Sequence, residues 1–312
     1  MRPHARMLSR LAGFLAATAA LAPAAADGQT PVSATTSRTR GPIVTDSSVG
    51  YIDNAIPGTV FRFRYDTAYN NPRPTRAEFF YPKGGFGGRG LPLPERSVDY
   101  QELSTSFEFA VGERTSAFVE GPWRLLNPDL NANHEGFSDL TLGLKYAFVF
   151  EEDLIATFQF RTYVPTGDNE HGLGTDHVSL EPALLVYQRL DDRLALAGEF
   201  RVWVPIDGTD FAGEVLRYGI GLHYDLVQAD AWRLTPVAEV VGWTVLDGKT
   251  GIVHPSGLST TESADGDTIV NGKFGLRLHF GGCRDLYFGY GRALTGDTWY
   301  EDIYRVELRF AF

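Results

Sequence analysis

The stretch that decides the fold class is IYRVELRFAF, residues 303–312. Every second side chain from Tyr304 to Phe312 is apolar, and Arg305, Glu307 and Arg309 lie between them. A period of two residues is typical of a β-strand, whose successive side chains point to opposite faces. One face of this strand is therefore expected to contact an apolar medium, and the other to contact water or a polar interior.

The final residue of the sequence adds a second indication. A sequence that closes in alternating aromatic and aliphatic residues with a terminal Phe resembles the last strand of bacterial outer-membrane β-barrels. In those proteins this strand is the assembly signal. The resemblance therefore implies the outer-membrane assembly machinery as a partner, acting through the strand that ends at Phe312. The alternative is the last strand of a soluble β-sandwich.

The first 26 residues have the pattern of a secretory signal peptide. Arg2, His4, Arg6 and Arg10 make a basic start, residues 11–22 are an apolar run, and Ala24–Ala26 provide a small-residue cleavage site. The apolar run is too short for a transmembrane helix. We therefore expect an exported chain.

Residues 27–57 are rich in Thr, Ser, Gly and Pro and show no periodicity. This composition predicts an exposed N-terminal leader ahead of the first strand. Residues Val49 to Ile56 could form one short helix within it, tucked into the mouth of the barrel.

Composition limits the classes of partner and cofactor. Cys283 is the only cysteine, so no intramolecular disulfide can form. Removing residues 1–26 takes away three arginines and changes the formal charge from −11 to about −14, which disfavours nucleic acid as a partner. The sequence has no glycine-rich phosphate motif and no Cys/His zinc spacing, so we expect no cofactor and no metal.

The period-two alternation recurs from residue 58 to residue 312 and predicts twelve strands. In a clear example, the apolar residues Leu140, Leu142 and Leu144 alternate with Thr141, Gly143 and Lys145. The third predicted strand is the least regular, because Phe118 and Glu120 share one face. The predicted fold is all-β, a transmembrane antiparallel up-and-down β-barrel of about 12 strands.

The predicted connections alternate between tight and long, which sorts them to opposite ends of the barrel. Short turns at one end and long loops at the other are typical of outer-membrane barrels, whereas a sandwich has no reason for this sorting. The tight connections are residues 112–114, 151–153, 190–193, 226–231 and 281–285; the mostly longer ones are residues 70–97, 127–137, 165–177, 207–214, 245–268 and 295–300.

Alternation alone does not say which face points inward. A soluble barrel of the lipocalin kind places its apolar face inside. The loop sorting, the terminal Phe and strands of about ten residues or more favour the opposite arrangement, with the apolar face in contact with the lipid bilayer. The side chains then predicted to line the lumen are Arg161, Glu181, Glu199, Arg201, Arg217, Glu239, Lys273 and Arg277.

Several motifs resemble a family of outer-membrane β-barrels named after the meta-cleavage pathway of phenol degradation. The run GFSDLTLGLKYAF at residues 136–148 is similar to a characteristic strand of that family, and residues 163–177, from YVPTGD to GLGTDH, are similar to its most distinctive loop. Residues 50–53 and 76–81 resemble a subgroup with a longer N-terminal part. The resemblance covers roughly residues 47–312 and implies a barrel with a transport role.

The loop at residues 165–177 is the predicted site of gating or solute contact. The residues that suggest it are Asp168, Gly172, Gly174, Asp176 and His177. A metal site there is the weaker interpretation, since its glycines more simply indicate tight turning.

Together these patterns favour a passive channel for small hydrophilic or amphipathic solutes in the bacterial outer membrane, and not an enzyme. The first alternative is a closed barrel with a structural or surface role and no pore. The weaker alternative is an outer-membrane lipid hydrolase, because His177 and Ser179 resemble the His-x-Ser pair of the outer-membrane phospholipase. The Ser-Asn-Gly continuation of that family is absent.

Overall fold

The computed structural model describes residues 47–71, 95, 97–206, 212–229, 231–253, 259–281, 283–296 and 298–312. The predicted signal peptide and residues 27–46 of the predicted leader lie outside this set. Within the described residues there is no helix with the length and hydropathy needed to cross a membrane.

Twelve long strands among the described residues form one closed antiparallel barrel, as the sequence predicts. Each strand pairs with the next one along the chain, and the last pairs with the first from Val60–Ala311 to Tyr69–Asp302. The strands are β1 Val60–Asn71, β2 Val98–Gly112, β3 Thr115–Pro128, β4 Leu140–Phe150, β5 Leu154–Val164, β6 Ser179–Arg189, β7 Leu194–Pro205, β8 Val215–Tyr224, β9 Trp232–Val245, β10 Thr268–Phe280, β11 Arg284–Ala293 and β12 Asp302–Ala311.

The connections are sorted by length between the two ends of the barrel, which confirms the predicted layout. At the short-turn end, five connections have two to seven residues, and at the long-loop end six connections have eight to 26 residues. Three short ladders extend the connections: His134–Phe137 pairs with β3, Val227–Gln228 pairs with β9, and Lys249–Val253 pairs with Ser259–Ser263.

Apolar side chains of the barrel wall point outward and charged side chains point inward. Phe158, Ile220 and Leu276 are 44%, 53% and 41% exposed, whereas Arg201 and Arg277 are 1% and 0% exposed. A soluble barrel would bury the apolar set at its centre. The predicted membrane orientation is therefore confirmed, with an apolar outer surface that contacts the lipid bilayer.

The irregular third strand has a local explanation. Phe118 and Glu120 both belong to the inward face of β3, and the Phe118 ring lies 5.7 Å from Lys145 Nζ and 5.3 Å from Arg161 Cζ. Gly143 on β4 leaves the space that this ring needs, because a Cβ there would lie 2.2 Å from it. The aromatic ring breaks the polar pattern of the lumen because it serves as a partner for cations.

Residues 47–58 lie inside the barrel and do not form an exposed leader. Almost all of them are buried, and they contain no helix, so the predicted exposure and the predicted short helix at Val49 to Ile56 are both wrong for this segment. A helix would satisfy backbone groups internally. Here side chains of the barrel wall bind those groups instead. We call residues 47–58 the plug.

The plug is a loop that enters and leaves the lumen at the short-turn end. Arg309, near the end of β12, donates to the Ser47 carbonyl at 2.9 Å, and the Gly58 N–H donates to Glu108 of β2 at 3.3 Å. Between these points Asp53 contacts Arg161, which lies beyond the middle of β5. Among the described residues, no backbone–backbone hydrogen bond joins the plug to a strand.

Arginine substitutions on the outer surface test the orientation. Ile220→Arg places a guanidinium near the middle of β8, and we expect a loss of roughly 2–4 kcal/mol in the free energy of unfolding. Val111→Arg is the matched control, because Val111 is also exposed but lies at the end of β2, where the expected cost is about 0–1 kcal/mol. Reversible urea unfolding in lipid vesicles measures both values. Equal costs would contradict the bilayer position.

Candidate functional site

All eight predicted lumen-lining side chains point into the barrel. Six are buried, and the side chains of Arg161 and Arg217 are 14% and 15% exposed. They belong to six consecutive strands, from β5 to β10. The candidate site is therefore the lumen itself, together with the plug that occupies it.

A first charge cluster surrounds Asp53 of the plug. Arg201 donates to Glu181 at 2.9 Å and also contacts Glu199 and Asp53. Arg161 contacts the same Asp53 carboxylate. Burial alone would raise the pKa of Asp53, but the guanidinium groups of Arg161 and Arg201 hold it well below its ordinary value. The plug therefore places an ionised carboxylate between two arginines.

A second charge cluster lies closer to the short-turn end. Arg277 contacts Asp285 and donates from Nη2 to Glu307 at 3.0 Å. Asp285 also accepts a hydrogen bond from Arg309 at 2.9 Å. The Nε of Arg277 donates to the Ser48 carbonyl at 2.8 Å. This cluster therefore joins the wall to the first residues of the plug.

Glu239 binds the backbone at the tip of the plug. Its carboxylate accepts hydrogen bonds from the N–H groups of Gly50, Tyr51 and Ile52 at 3.2, 3.0 and 2.9 Å. On the carbonyl side, Arg217 donates to Tyr51 at 2.7 Å. Three successive amide groups on one buried carboxylate form a strong, charge-assisted contact that does not depend on the plug side chains.

The ring of Tyr51 lies between two cations of the wall. Lys273 Nζ is 3.7 Å and Arg305 Cζ is 4.1 Å from the ring centroid, and Tyr287 contacts the ring edge-on. Lys273 also donates to the Tyr300 hydroxyl at 2.8 Å. Burial raises the pKa of the Tyr51 hydroxyl well above its ordinary value, so the ring is neutral and suited to cation–π contacts.

A polar cavity of about 140 Å³ lies beside the plug. Its lining extends from Arg62 and Arg309, toward the short-turn end, to Tyr100 and Tyr163, toward the long-loop end. Eight basic and six acidic side chains among the described residues contribute to the lining. The plug therefore leaves part of the lumen unfilled.

The loop at residues 165–177 is fixed to the wall through Asp139. The Asp139 carboxylate accepts hydrogen bonds from the Gly167 N–H at 3.1 Å, the Thr175 N–H at 3.0 Å and the Thr175 hydroxyl at 2.7 Å. Gly174 packs so closely that a Cβ on it would lie 2.6 Å from the Gly167 carbonyl oxygen. Asp139 itself lines the cavity.

The other predicted gating residues lie around this anchored core. Asp168 is exposed and bonded to His171 at 2.6 Å, a contact that lowers its pKa. Gly172 and Asp176 have left-handed φ values of 76° and 60°, and the buried His177 ring contacts Trp203. Within the described residues, none of the five predicted gating residues lines the cavity.

The described residues contain neither a hydrogen bond between His177 and Ser179 nor a cluster of metal-binding side chains. His177 Nδ1 bonds to the Thr175 carbonyl at 2.7 Å, and the buried Ser179 Oγ has no hydrogen-bond partner. Among the described residues, no histidine is hydrogen-bonded to this serine. In the part of the chain that the structure describes, no group of three or more His, Cys, Asp or Glu residues is placed to hold a metal ion.

Sequence reasoning missed Asp53, Tyr51 and Asp285 as lumen residues. The first two lie in a segment without periodicity. Asp285 was expected in a turn, but β11 begins at Arg284 and directs Asp285 inward. Its alternation with the outward residues Leu286 and Phe288 is the signal that could have identified it.

Comparisons with known proteins agree with this architecture. An outer-membrane channel from Pseudomonas putida F1 matches with a TM-score of 0.55 and 13% identity, over 85% of this chain and 100% of that chain. The NanC porin matches with a TM-score of 0.46 and 11% identity, over 82% of this chain and 100% of that chain. No curated protein sequence matches significantly.

A family model with the description "Putative MetA-pathway of phenol degradation" matches residues 53–210, just over half of the chain. The match begins in the plug and includes strands β1 to β7. It also contains both motifs that suggested the family from sequence. The chain therefore belongs to this family of outer-membrane β-barrels, and its location is the bacterial outer membrane.

Proposed function

We propose that the protein is a passive outer-membrane channel for small hydrophilic or amphipathic solutes. The observation that carries this proposal is the polar cavity of about 140 Å³ beside the plug, inside a barrel whose outer surface is apolar. A barrel that served only as a scaffold would gain nothing from an unfilled charged interior, because buried charges are costly to maintain.

The lining favours small polar solutes over any one ionic class. Its eight basic and six acidic side chains nearly balance, and strong ion selectivity needs an excess of one sign along the path. Aromatic residues such as Tyr100 and Tyr163 also line the cavity, which suits solutes with an apolar portion.

A closed barrel with a structural or surface role is the second candidate, and the plug is the observation that favours it. The plug fills the centre of the lumen and is bound by both charge clusters. If the plug does not move, the cavity beside it is the only route for solutes that the described residues offer. The width of this cavity then determines whether the barrel is a channel or is closed.

Loop 165–177 is the proposed gate at the long-loop end, which faces the cell exterior in outer-membrane barrels. Asp139 supports this role because it binds the loop and lines the cavity at the same time. A movement of the loop would therefore change the cavity wall directly.

The proposed partner at the other end of the barrel is the outer-membrane assembly machinery, to which the exposed terminal Phe312 is accessible.

Thiol modification tests whether the cavity is the conducting path. In a Cys283→Ser background, Thr141→Cys places the only thiol in the cavity wall, and Leu142→Cys places it on the outer face of the same strand. We expect a bulky methanethiosulfonate reagent to lower single-channel conductance in planar bilayers for Thr141→Cys and to leave Leu142→Cys unchanged. Equal responses would exclude this path, and absence of any conductance would remove the pore proposal.

Removing the loop anchor tests the proposed gate. Asp139→Ala leaves three donors of Gly167 and Thr175 without their acceptor, so we expect a loss of about 1–3 kcal/mol in the free energy of unfolding. We also expect faster proteolysis within residues 165–177 and a higher solute flux into vesicles. Asp191→Ala, in an exposed turn at the opposite end, is the control. Unchanged cleavage and flux in Asp139→Ala would contradict the gating role.

A further inference from the structure

The backbone of the plug is bound almost continuously by side chains of the barrel wall. The N–H groups of residues 50–52 bind Glu239, and that of Asp53 binds Glu199 at 3.1 Å. The carbonyl groups of residues 47–51 each accept a hydrogen bond from a wall arginine; the donors are Arg309, Arg277, Arg305 and Arg217. All of these contacts are made to the peptide backbone of the plug, which bends at residues 50–52.

The wall is also shaped to fit the plug. A Cβ on Gly219 would lie 3.1 Å from Ile52 Cγ1, and a Cβ on Gly221 would lie 3.1 Å from Val49 Cγ1. Any larger residue at these two positions of β8 would therefore press against the plug. Glycine weakens a strand and is common where another backbone approaches closely, which is the situation here.

Two side chains of the plug fill specific subsites. The ring of Tyr51 lies between Lys273 and Arg305. Two residues later, the Asp53 carboxylate contacts Arg161 and Arg201. The wall therefore presents one site for an aromatic ring and one for a carboxylate, at the spacing of residues i and i+2 in a chain that bends at residues 50–52.

The barrel does not depend on the plug for its own bonding. The strand ladder is complete without it, and each wall arginine that contacts the plug also contacts a wall carboxylate. These pairs are Arg161–Glu181 at 3.8 Å, Arg201–Glu181 at 2.9 Å, Arg217–Glu199 at 2.9 Å, Arg277–Glu307 at 3.0 Å, Arg305–Asp66 at 2.6 Å and Arg309–Asp285 at 2.9 Å. If the plug leaves, water can enter and these six arginines keep their carboxylate partners.

We propose that the lumen contains a binding site for a short looped peptide with an aromatic residue two positions before an acidic one, and that the chain fills this site with its own residues 47–58 as a reversible plug. A peptide of this class that enters from the short-turn end, the periplasmic side in outer-membrane barrels, competes with the plug. The site deepens the proposed channel function, because its occupant controls the width of the lumen, but binding can be measured without any solute flux.

Peptide binding to a full-length variant with a loosened plug tests this proposal. Ile52→Asp introduces a carboxylate beside Glu199 and Glu239, where like charges repel, and leaves every wall residue unchanged. The probe is a fluorescein-labelled synthetic peptide, SSVGYIDNAIPG, which is residues 47–58. The control peptide carries the same Ile52→Asp change. Fluorescence anisotropy in detergent micelles measures binding of both peptides to the variant and to the wild-type chain.

We expect saturable binding of the unmodified peptide to the Ile52→Asp chain and none of the control peptide. Wild-type protein should bind neither, because a tethered segment acts at an effective concentration on the order of millimolar. Equal binding of the two peptides to the variant, or equal binding of the unmodified peptide to variant and wild type, would overturn the site. Peptide binding without conductance would retain the site and remove the proposed channel, and conductance without peptide binding would do the reverse.

Two further variants keep the proposal falsifiable if Ile52→Asp does not fold. Asp53→Lys loosens the plug by a different route, since it places an ammonium group against Arg161 and Arg201, and the same peptide is expected to bind it.

A disulfide trap tests the position of the plug without loosening it. In a Cys283→Ser background, Ile52→Cys with Gly219→Cys should cross-link on oxidation and lower the conductance, and reduction should restore it. Failure to cross-link would contradict the position of the plug.

Discussion

The closed backbone ladder is the constraint on which the rest of this structure depends. An unpaired N–H or C=O group in hydrocarbon costs several kcal/mol, so a sheet that crosses a membrane cannot have a free edge. The pairing of β1 with β12, from Val60 to Tyr69, removes both edges. Closure also directs half of the side chains of every strand into one enclosed lumen, and the sequence must supply groups there that satisfy one another.

Charged groups fill this lumen as paired networks. Arg201 contacts Glu181 and Glu199, and Arg277 contacts Asp285 and Glu307. A buried ion pair is weak support for stability, because desolvation offsets much of the attraction, whereas an unpaired buried charge is strongly destabilising. The paired networks therefore allow the lumen to be polar. They also allow another charged group to bind or leave, because each arginine keeps a carboxylate partner.

Features that repeat along one strand could be predicted from the sequence, and contacts between distant segments could not. Period-two alternation and connection length are local, so they gave the twelve strands, the sorted loops and the outward face that carries Ile220. The plug has no periodicity, and its contacts are remote: the Ile52 N–H binds Glu239, 187 residues later in the chain. Phe118 was anomalous for a related reason, since its cation partners, Lys145 and Arg161, lie on other strands.

Different hydrogen bonds hold the barrel and the plug, and this explains how a stable barrel can contain a plug that can be replaced. Backbone–backbone bonds connect the strands, whereas side-chain bonds connect the plug to the wall. Gly219 and Gly221 weaken β8 but leave a surface on which Val49 and Ile52 fit. Because the two sets of bonds are separate, the occupancy of the lumen can change while the membrane-spanning wall does not.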